Sequence, residues 1–337
     1  LLVEMRSHGL VPDEITYNSI IHACAKGNEW RRTLNLLHEM RSRGLVPDEI
    51  TYNSVINACA NGGGSLRAFE LLEEMRRCGS APTQITYSSV INACAKGGES
   101  QRALNLLDDM RSHGLVPNEI TYNSVISACA KGGEWQRALD LLKEMRARGL
   151  VPNAISYGAA LNACAIGRQP ERALSLFESL QSDRLTPELS HWCHLLDAIG
   201  PNHAQSRLLL LRMVGQPFFA GAESIEAGMP MFDLHGLSAG AAEMVVRWWL
   251  LDKLPQRLEG RKMSEPTQVV LVTGHGDSRV LKEAGDVKKR VLELVDELGT
   301  VVEQSNRGRV VLAWPLKVCG DWRRFGRSIR LVRSRAV

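Results

Sequence analysis

The sequence has no apolar run long enough to cross a bilayer, so no transmembrane helix lies within its 337 residues. It lacks a strong charge of either sign. Its 41 Lys and Arg stand against 37 Asp and Glu, a formal net charge of +4. That balance excludes a bulk polycation holding acidic partners by charge alone. It also lacks the cysteine spacing of a disulfide framework or a metal site. Of eight cysteines, Cys24, Cys59, Cys94, Cys129 and Cys164 recur at one position inside the triplet ACA. A small apolar residue at a fixed period is a packing position, and free thiols there point to a reducing compartment. Finally, there is no initiator Met. The opening LLVEMRSHGLVPD matches the second half of the repeat described next. The expectation is a piece of a longer chain, with further repeats upstream and room for an N-terminal targeting peptide.

What the sequence does have is internal repetition. ITYNS begins at Ile15, Ile50 and Ile120, with ITYSS at Ile85 and ISYGA at Ile155, each 35 residues from the last. The units are 14–48, 49–83, 84–118, 119–153 and 154–188, preceded by the partial 1–13. Within 119–131, Tyr122, Val125, Ile126 and Cys129 share one face of a helix. Within 135–148, Ala138, Leu141, Leu142 and Met145 do the same. Gly132 and Gly133 separate the two segments, Gly149 ends the second, and Pro152 forbids its continuation. A helical hairpin with two apolar stripes cannot bury both alone. Stacked copies can, so the fold class predicted for 1–188 is an α-solenoid of 35-residue helical hairpins with a long concave face. Residues 189–214 (LSHWCHLLDAIG, then SRLLLLRMV) read as a degenerate capping repeat, and 215–230, rich in Gly, Ala and Pro, as a linker.

One position breaks the copying. The fifth residue of successive units is Asn18, Asn53, Ser88, Asn123 and Gly158, and the last is Asp48, Thr83, Asn118, Asn153 and Glu188. The last position has a structural explanation, because Asp13, Asp48, Thr83, Asn118 and Asn153 each follow Pro and are all N-cap types. Helix capping does not explain Ser88 or Gly158. Polar side chains at regular spacing suit the free Watson–Crick edges of single-stranded RNA, and a concave surface for protein is the competing reading. Asn offers both a donor and an acceptor; Ser offers a shorter hydroxyl.

The 35-residue unit, with TYN near its start, an ACAKGG-like turn, RALDLLKEM and GLVPN, closely resembles the pentatricopeptide repeat over about residues 1–188. That resemblance implies a right-handed superhelix that binds single-stranded RNA. Each repeat would read one base through its fifth and last residues, with the strand running 5′ to 3′ from N to C terminus. By the family's code, Asn18 with Asp48 implies uridine and Asn53 with Thr83 a weak pyrimidine. Ser88 with Asn118 implies adenine, Asn123 with Asn153 a pyrimidine, and Gly158 with Glu188 no clear preference. It also implies that Ile15, Ile50, Ile85, Ile120 and Ile155 flank the bases, and that Lys26, Lys96 and Lys131 meet phosphates. Asn61 and Ile166 replace that lysine in the second and fifth units. A solvated lysine beside a turn is the plainer reading of those positions.

A second region follows. MFDLHGLSAG reads as a strand (231–234) leading into a helix (239–254), with Ser238 as N-cap and Ala241, Met244, Val245 and Trp248 as its apolar stripe. QVVLVTGHGDSR gives a buried strand (269–272) and a Gly-rich turn. A helix (282–298) and two strands (300–304 and 309–313) complete a βαβαββ order, an α/β sandwich over 231–315. This order, with DLHG at 233–236 and TGHG at 273–276, resembles the small MutS-related (Smr) domain. Where that family usually carries a basic residue or a histidine after TGHG, this chain has Asp277, Ser278 and Arg279.

The resemblance to the Smr domain implies nucleic-acid binding, and nuclease activity in some members. Asp233, His235 and His275 are then the candidate catalytic residues, with Thr273, Gly274, Gly276 and Arg279 at a phosphate. Glycine lets backbone amides approach a phosphate, and the two histidines suit proton transfer. Asp233 could orient His235 or hold a hydrated Mg²⁺, the one cofactor in prospect. A purely structural pair holding the strand end describes Asp233 and His235 equally well. The tail 316–337 sets Lys317, Arg323, Arg324, Arg327, Arg330, Arg333 and Arg335 against Asp321, with Trp322 and Phe325 interleaved. That suits an RNA backbone, or a solvated terminus. A repeat array followed by an Smr domain implies an organelle, chloroplast ahead of mitochondrion.

Overall fold

The computed structural model describes residues 2–226, 229–254, 267–273, 281–297, 301–306 and 309–314. It divides into two compact units, Leu1–Gly167 and Arg168–Val337. The first holds α1 (Leu2–Ser7) and then the hairpins. These are α2 (Glu14–Lys26) with α3 (Trp30–Ser42), α4 (Glu49–Asn61) with α5 (Ser65–Arg77), α6 (Gln84–Gly97) with α7 (Ser100–Ser112), and α8 (Glu119–Lys131) with α9 (Trp135–Ala147). The unit ends with α10 (Ala154–Ile166).

Local chemistry sets these boundaries. Asp13, Asp48, Asn118 and Asn153 accept the backbone N–H of the third helical residue at 2.8–3.1 Å, satisfying an orphan donor at each start. The second helices end in a left-handed glycine, such as Gly44 at φ 77° and Gly149 at φ 79°. Past that glycine, Leu45 N–H reaches back to the Met40 carbonyl at 3.1 Å and closes the helix.

The first helices α2, α4, α6, α8 and α10 pack on one another in chain order. Tyr17, Tyr52, Tyr87, Tyr122 and Tyr157 are buried between them, as are Cys59, Cys94, Cys129 and Cys164. These cysteines are free, and burial pushes the first three thiols up to about 11, which suits packing rather than reactivity. The buried tyrosine hydroxyls stitch neighbouring hairpins. Arg111 donates to Tyr122 Oη at 2.8 Å, and Tyr122 donates to Glu144 at 3.0 Å. Arg41, Tyr52 and Glu74 repeat this arrangement, as do Arg76, Tyr87 and Asp109.

The second unit begins with α11 (Pro170–Ser182), α12 (Leu189–Ile199) and α13 (Ser206–Val214). Where the earlier hairpins close on glycine, Arg184 takes the left-handed conformation at φ 59°. Of residues 215–230, expected as a linker, 215–226 and 229–230 are described, and elements form within them. A 3-10 turn (Pro217–Phe219) buries Phe219 against Phe232, and β1 (Glu223–Glu226) pairs antiparallel with β2 (Met229–Asp233). Gly, Ala and Pro here shape a turn into an edge strand. With α14 (Ala239–Trp248), β3 (Thr267–Val272), α15 (Leu281–Glu297), β4 (Val301–Asn306) and β5 (Arg309–Trp314), the order among the described residues is ββαβαββ, one strand more than expected. The sheet runs β1-β2-β3-β5-β4, with β2 and β3 parallel and the other pairs antiparallel. A π turn (Trp249–Lys253) continues α14, and Trp249 rather than Trp248 is the fully buried ring, packed on Phe232 with its Nε1 donating to Glu223 at 3.0 Å.

The capping repeat and the sheet region share a packed contact. Ser238 Oγ donates to Asp197 Oδ1 of α12 at 2.8 Å while accepting Ala241 N–H at 3.3 Å. A methyl at Gly240 would lie 2.4 Å from that same Oδ1. Burial holds the Asp197 carboxyl above its ordinary value. Because the folded state keeps this proton to higher pH than the unfolded chain, the stability it brings is full below the unfolded value. It is lost as pH rises through the folded one. Asp197→Asn keeps the acceptor and cannot ionise. The melting temperature of Asp197→Asn relative to wild type is expected to climb from about pH 4 to about pH 7. A difference that stays constant or shrinks over that range contradicts the burial argument.

Candidate nucleic-acid interface

The fifth residue of a unit lies early in a first helix, and the last residue caps the next one. Stacking of the first helices therefore brings the two together. Asn18 Nδ2 donates to Asp48 at 3.2 Å (Oδ2) and 3.3 Å (Oδ1), and Asn123 Nδ2 donates to Asn153 Oδ1 at 3.4 Å. Burial raises Asp48, but hydrogen bonds from Thr51 and Asn18 outweigh it and leave the carboxyl below its ordinary value. In the second unit the amide turns aside, with Asn53 Nδ2 donating to Glu49 Oε1 at 3.4 Å, while Thr83 Oγ1 lies 3.2 Å from Thr86 Oγ1. In the third, Ser88 Oγ lies 2.9 Å from Thr121 Oγ1, and Asn118 accepts from Thr121. Asn18, Asn53 and Ser88 are half-buried, whereas Asn123 is only 8% exposed. Gly158 is half-buried, and Glu188, in the second unit, is an exposed N-cap of α12.

The sequence reading missed the hydroxyl at the third position of each unit. Thr51, Thr86, Thr121 and Ser156 are fully buried and bond to the fifth residue of the preceding unit. The signal was present as the T or S inside ITYNS and ISYGA.

Around this row the surface is apolar, then basic. Ile15, Ile50, Ile85, Ile120 and Ile155 are 65–75% exposed, which is uncommon for a recurring large aliphatic side chain and leaves each free to lie against a planar base. Lys26, Lys96 and Lys131 are exposed at the ends of α2, α6 and α8. Burial and then the neighbouring charge of Lys131 lower Lys96 from its ordinary value, so an anion there would be welcome. Asn61, which replaces the lysine in its own unit, accepts from Lys96 Nζ at 2.9 Å.

In the second unit Asp233 ends β2 beside Val272 of the parallel β3. Its carboxylate meets His235 Nδ1 and accepts His235 N–H at 2.9 Å. A ring whose Nδ1–H is held this way leaves Nε2 as the proton acceptor. Thr273 follows β3, only 3% exposed, and its hydroxyl has no partner among the described residues. Gly274, His275, Gly276, Arg279 and the tail 316–337 lie outside the described residues. No group of three or more His, Cys, Asp or Glu fit for a metal occurs among the described residues.

The sequence profile of the PPR repeat family matches residues 12–61, and that of the pentacotripeptide-repeat region of PRORP matches 49–201. Among solved structures, the maize pentatricopeptide repeat protein PPR10 is similar over 88% of this chain and 39% of its own, at 23% identity and a TM-score of 0.48. The PPR domain of Arabidopsis thaliana protein-only RNase P 1, solved in complex with tRNA, is similar over 53% of this chain and 94% of its own, at 17% identity and a TM-score of 0.47. The chain thus spans well under half the length of the maize protein. No curated protein matches it.

Proposed function

Since residues 12–201 belong to the pentatricopeptide-repeat family, we propose that the chain reads single-stranded RNA one base per repeat and presents that RNA to its C-terminal α/β region in an organelle. The observation that carries this reading is the row of fifth residues at one position of successive first helices, two of them, Asn18 and Asn123, bonded to the last residues Asp48 and Asn153, flanked by exposed isoleucines. Asn amides and a Ser hydroxyl along that row match Watson–Crick edges. Base preferences follow the pairs: uridine, a weak pyrimidine, adenine, a pyrimidine, then none. Anisotropy with labelled RNA oligomers over a salt series tests it. Binding that weakens with salt and depends on base supports RNA reading. No binding to any oligomer favours a protein-binding array.

The α/β region resembles the Smr domain in its motifs, and we assign it a nucleic-acid role. A second reading, endoribonuclease, rests on the Asp233–His235 pair. Held through Nδ1, His235 would accept the attacking hydroxyl's proton at Nε2, and a separate acid would serve the leaving oxygen. Under this reading His235→Ala lowers RNA cleavage by about 10²–10⁴ and leaves RNA affinity nearly unchanged, because the array carries the affinity. Gel cleavage beside filter binding on one oligomer series, with Mg²⁺ or EDTA, measures both. Cleavage surviving in the variant removes His235 from the chemistry. No cleavage by wild type leaves binding as the role.

A further inference from the structure

In the second to fifth units the hydroxyl at the third position forms its shortest hydrogen bond with the fifth residue of the unit before. Thr51 Oγ1 donates to Asn18 Oδ1 at 2.5 Å, against 2.8 Å to Asp48 Oδ1. Ser156 Oγ donates to Asn123 Oδ1 at 2.6 Å, against 3.1 Å to Asn153 Oδ1. Thr86 Oγ1 donates to Asn53 Oδ1 at 2.6 Å, and Thr121 Oγ1 lies 2.9 Å from Ser88 Oγ. These donors are fully buried, so no water competes for the proton. In the sixth unit the third residue is His191, and the fifth residue of the unit before it is Gly158, which has no side-chain oxygen to hold. Among units that follow another complete unit, the hydroxyl is present where the fifth residue upstream carries a side-chain oxygen and absent where that residue is glycine.

A carboxamide can turn either its oxygen or its NH₂ outward, and the two edges recognise opposite base patterns. A buried hydroxyl donating to Oδ1 breaks that symmetry. It holds Oδ1 inward through one of its two lone pairs and turns Nδ2 to the opposite side, where in the first and fourth repeats it also donates to Asp48 and Asn153; its remaining N–H suits the O2 acceptor that uracil and cytosine share. Resting on the proposed RNA reading, we infer that Thr51, Thr86, Thr121 and Ser156 are specificity-positioning residues, each setting the orientation of the fifth residue one repeat upstream. They do not touch the RNA. The competing role is helix capping, since Asp48 N–H also donates to Thr51 Oγ1 at 3.2 Å. Thr16 carries the side-chain part of that role without the neighbour: its hydroxyl donates to Asp13 Oδ1 at 2.6 Å, and residues 1–13 include no fifth residue of a unit.

The test uses the full chain and RNA oligomers carrying uridine or adenine opposite the first repeat. Thr51→Val keeps the shape and loses the hydroxyl. Thr51→Ser keeps the hydroxyl, as Ser156 already does. Thr16→Val reports capping alone. The uridine-to-adenine affinity ratio, about tenfold in wild type, is expected to fall to about twofold or less in Thr51→Val and to hold in Thr51→Ser and Thr16→Val. Retention of the wild-type ratio by Thr51→Val, or its loss in Thr51→Ser, overturns the positioning role while base reading stands. Equal binding of both oligomers by wild type overturns base reading itself, and the positioning role with it.

Discussion

Replacing Lys96 and Lys131 together by alanine lowers affinity for a single-stranded RNA oligomer about seventyfold at ~0.05 M salt and about tenfold at ~0.2 M. The two numbers come from one cause. Each phosphate that a lysine neutralises on a single strand adds about 0.7 to the slope of log affinity against log salt, so two contacts contribute a slope of about 1.4. Both side chains are exposed, at the ends of α6 and α8, and neither belongs to the buried core, so the loss comes from the RNA and not from the fold. Lys96 is already lowered by burial and by Lys131. A phosphate between them relieves that repulsion, which makes the pair worth testing together. Filter binding across salt checks the slope. The ratio between oligomers of different base should stay at its wild-type value, because phosphates carry no base identity. An unchanged slope would show that these lysines are only solvated.

The second large effect is a change of base. Ser88→Asn with Asn118→Asp rebuilds in the third repeat the arrangement of the first, where Asn18 donates to Asp48 and accepts from Thr51. Thr121 stands where Thr51 does, 2.9 Å from Ser88 Oγ, and already donates its N–H to Asn118 at 3.0 Å. Asp at 118 keeps that cap and adds a charge favourable at a helix N-terminus, so the fold should not suffer. A wrong base costs about 1–3 kcal/mol per contact, so reversing the preference from adenine to uridine moves the affinity ratio by about a hundredfold or more. Competition between two oligomers differing only at that base measures it. Equal binding by the double variant would count against base reading by these side chains.

Much of this was legible in the sequence because the chain repeats itself. A 35-residue period with apolar stripes placed helices 119–131 and 135–148 within a residue of α8 and α9. Cysteine at a fixed position inside ACA was readable as packing, and Cys59 through Cys164 are buried. Position-dependent chemistry was harder to see. Residues 223–226 (ESIE) hold a strand only by pairing with β2, and Ile225 on that edge is exposed, so no local pattern announced it. Trp248 and Trp249 share the same composition, and which ring is buried depends on packing with Phe232. Thr51 and its counterparts were hidden because one hydroxyl serves both a cap and a neighbouring repeat, and only the stacking of first helices brings the neighbour within reach. DLHG left several roles open for Asp233; in the structure its carboxylate meets His235, whereas His275 of TGHG lies outside the described residues.

The account's central claim is that successive repeats read successive bases. The most direct measurement is the affinity of the unaltered full chain for a set of RNA oligomers, each differing from a parent at one of four consecutive positions. The account predicts preferences in the order uridine, pyrimidine, adenine, pyrimidine from 5′ to 3′, with each wrong base weakening binding by about five- to a hundredfold and the second position least selective. Affinity that is the same for every oligomer, at a salt concentration where binding is readily measured, would contradict it.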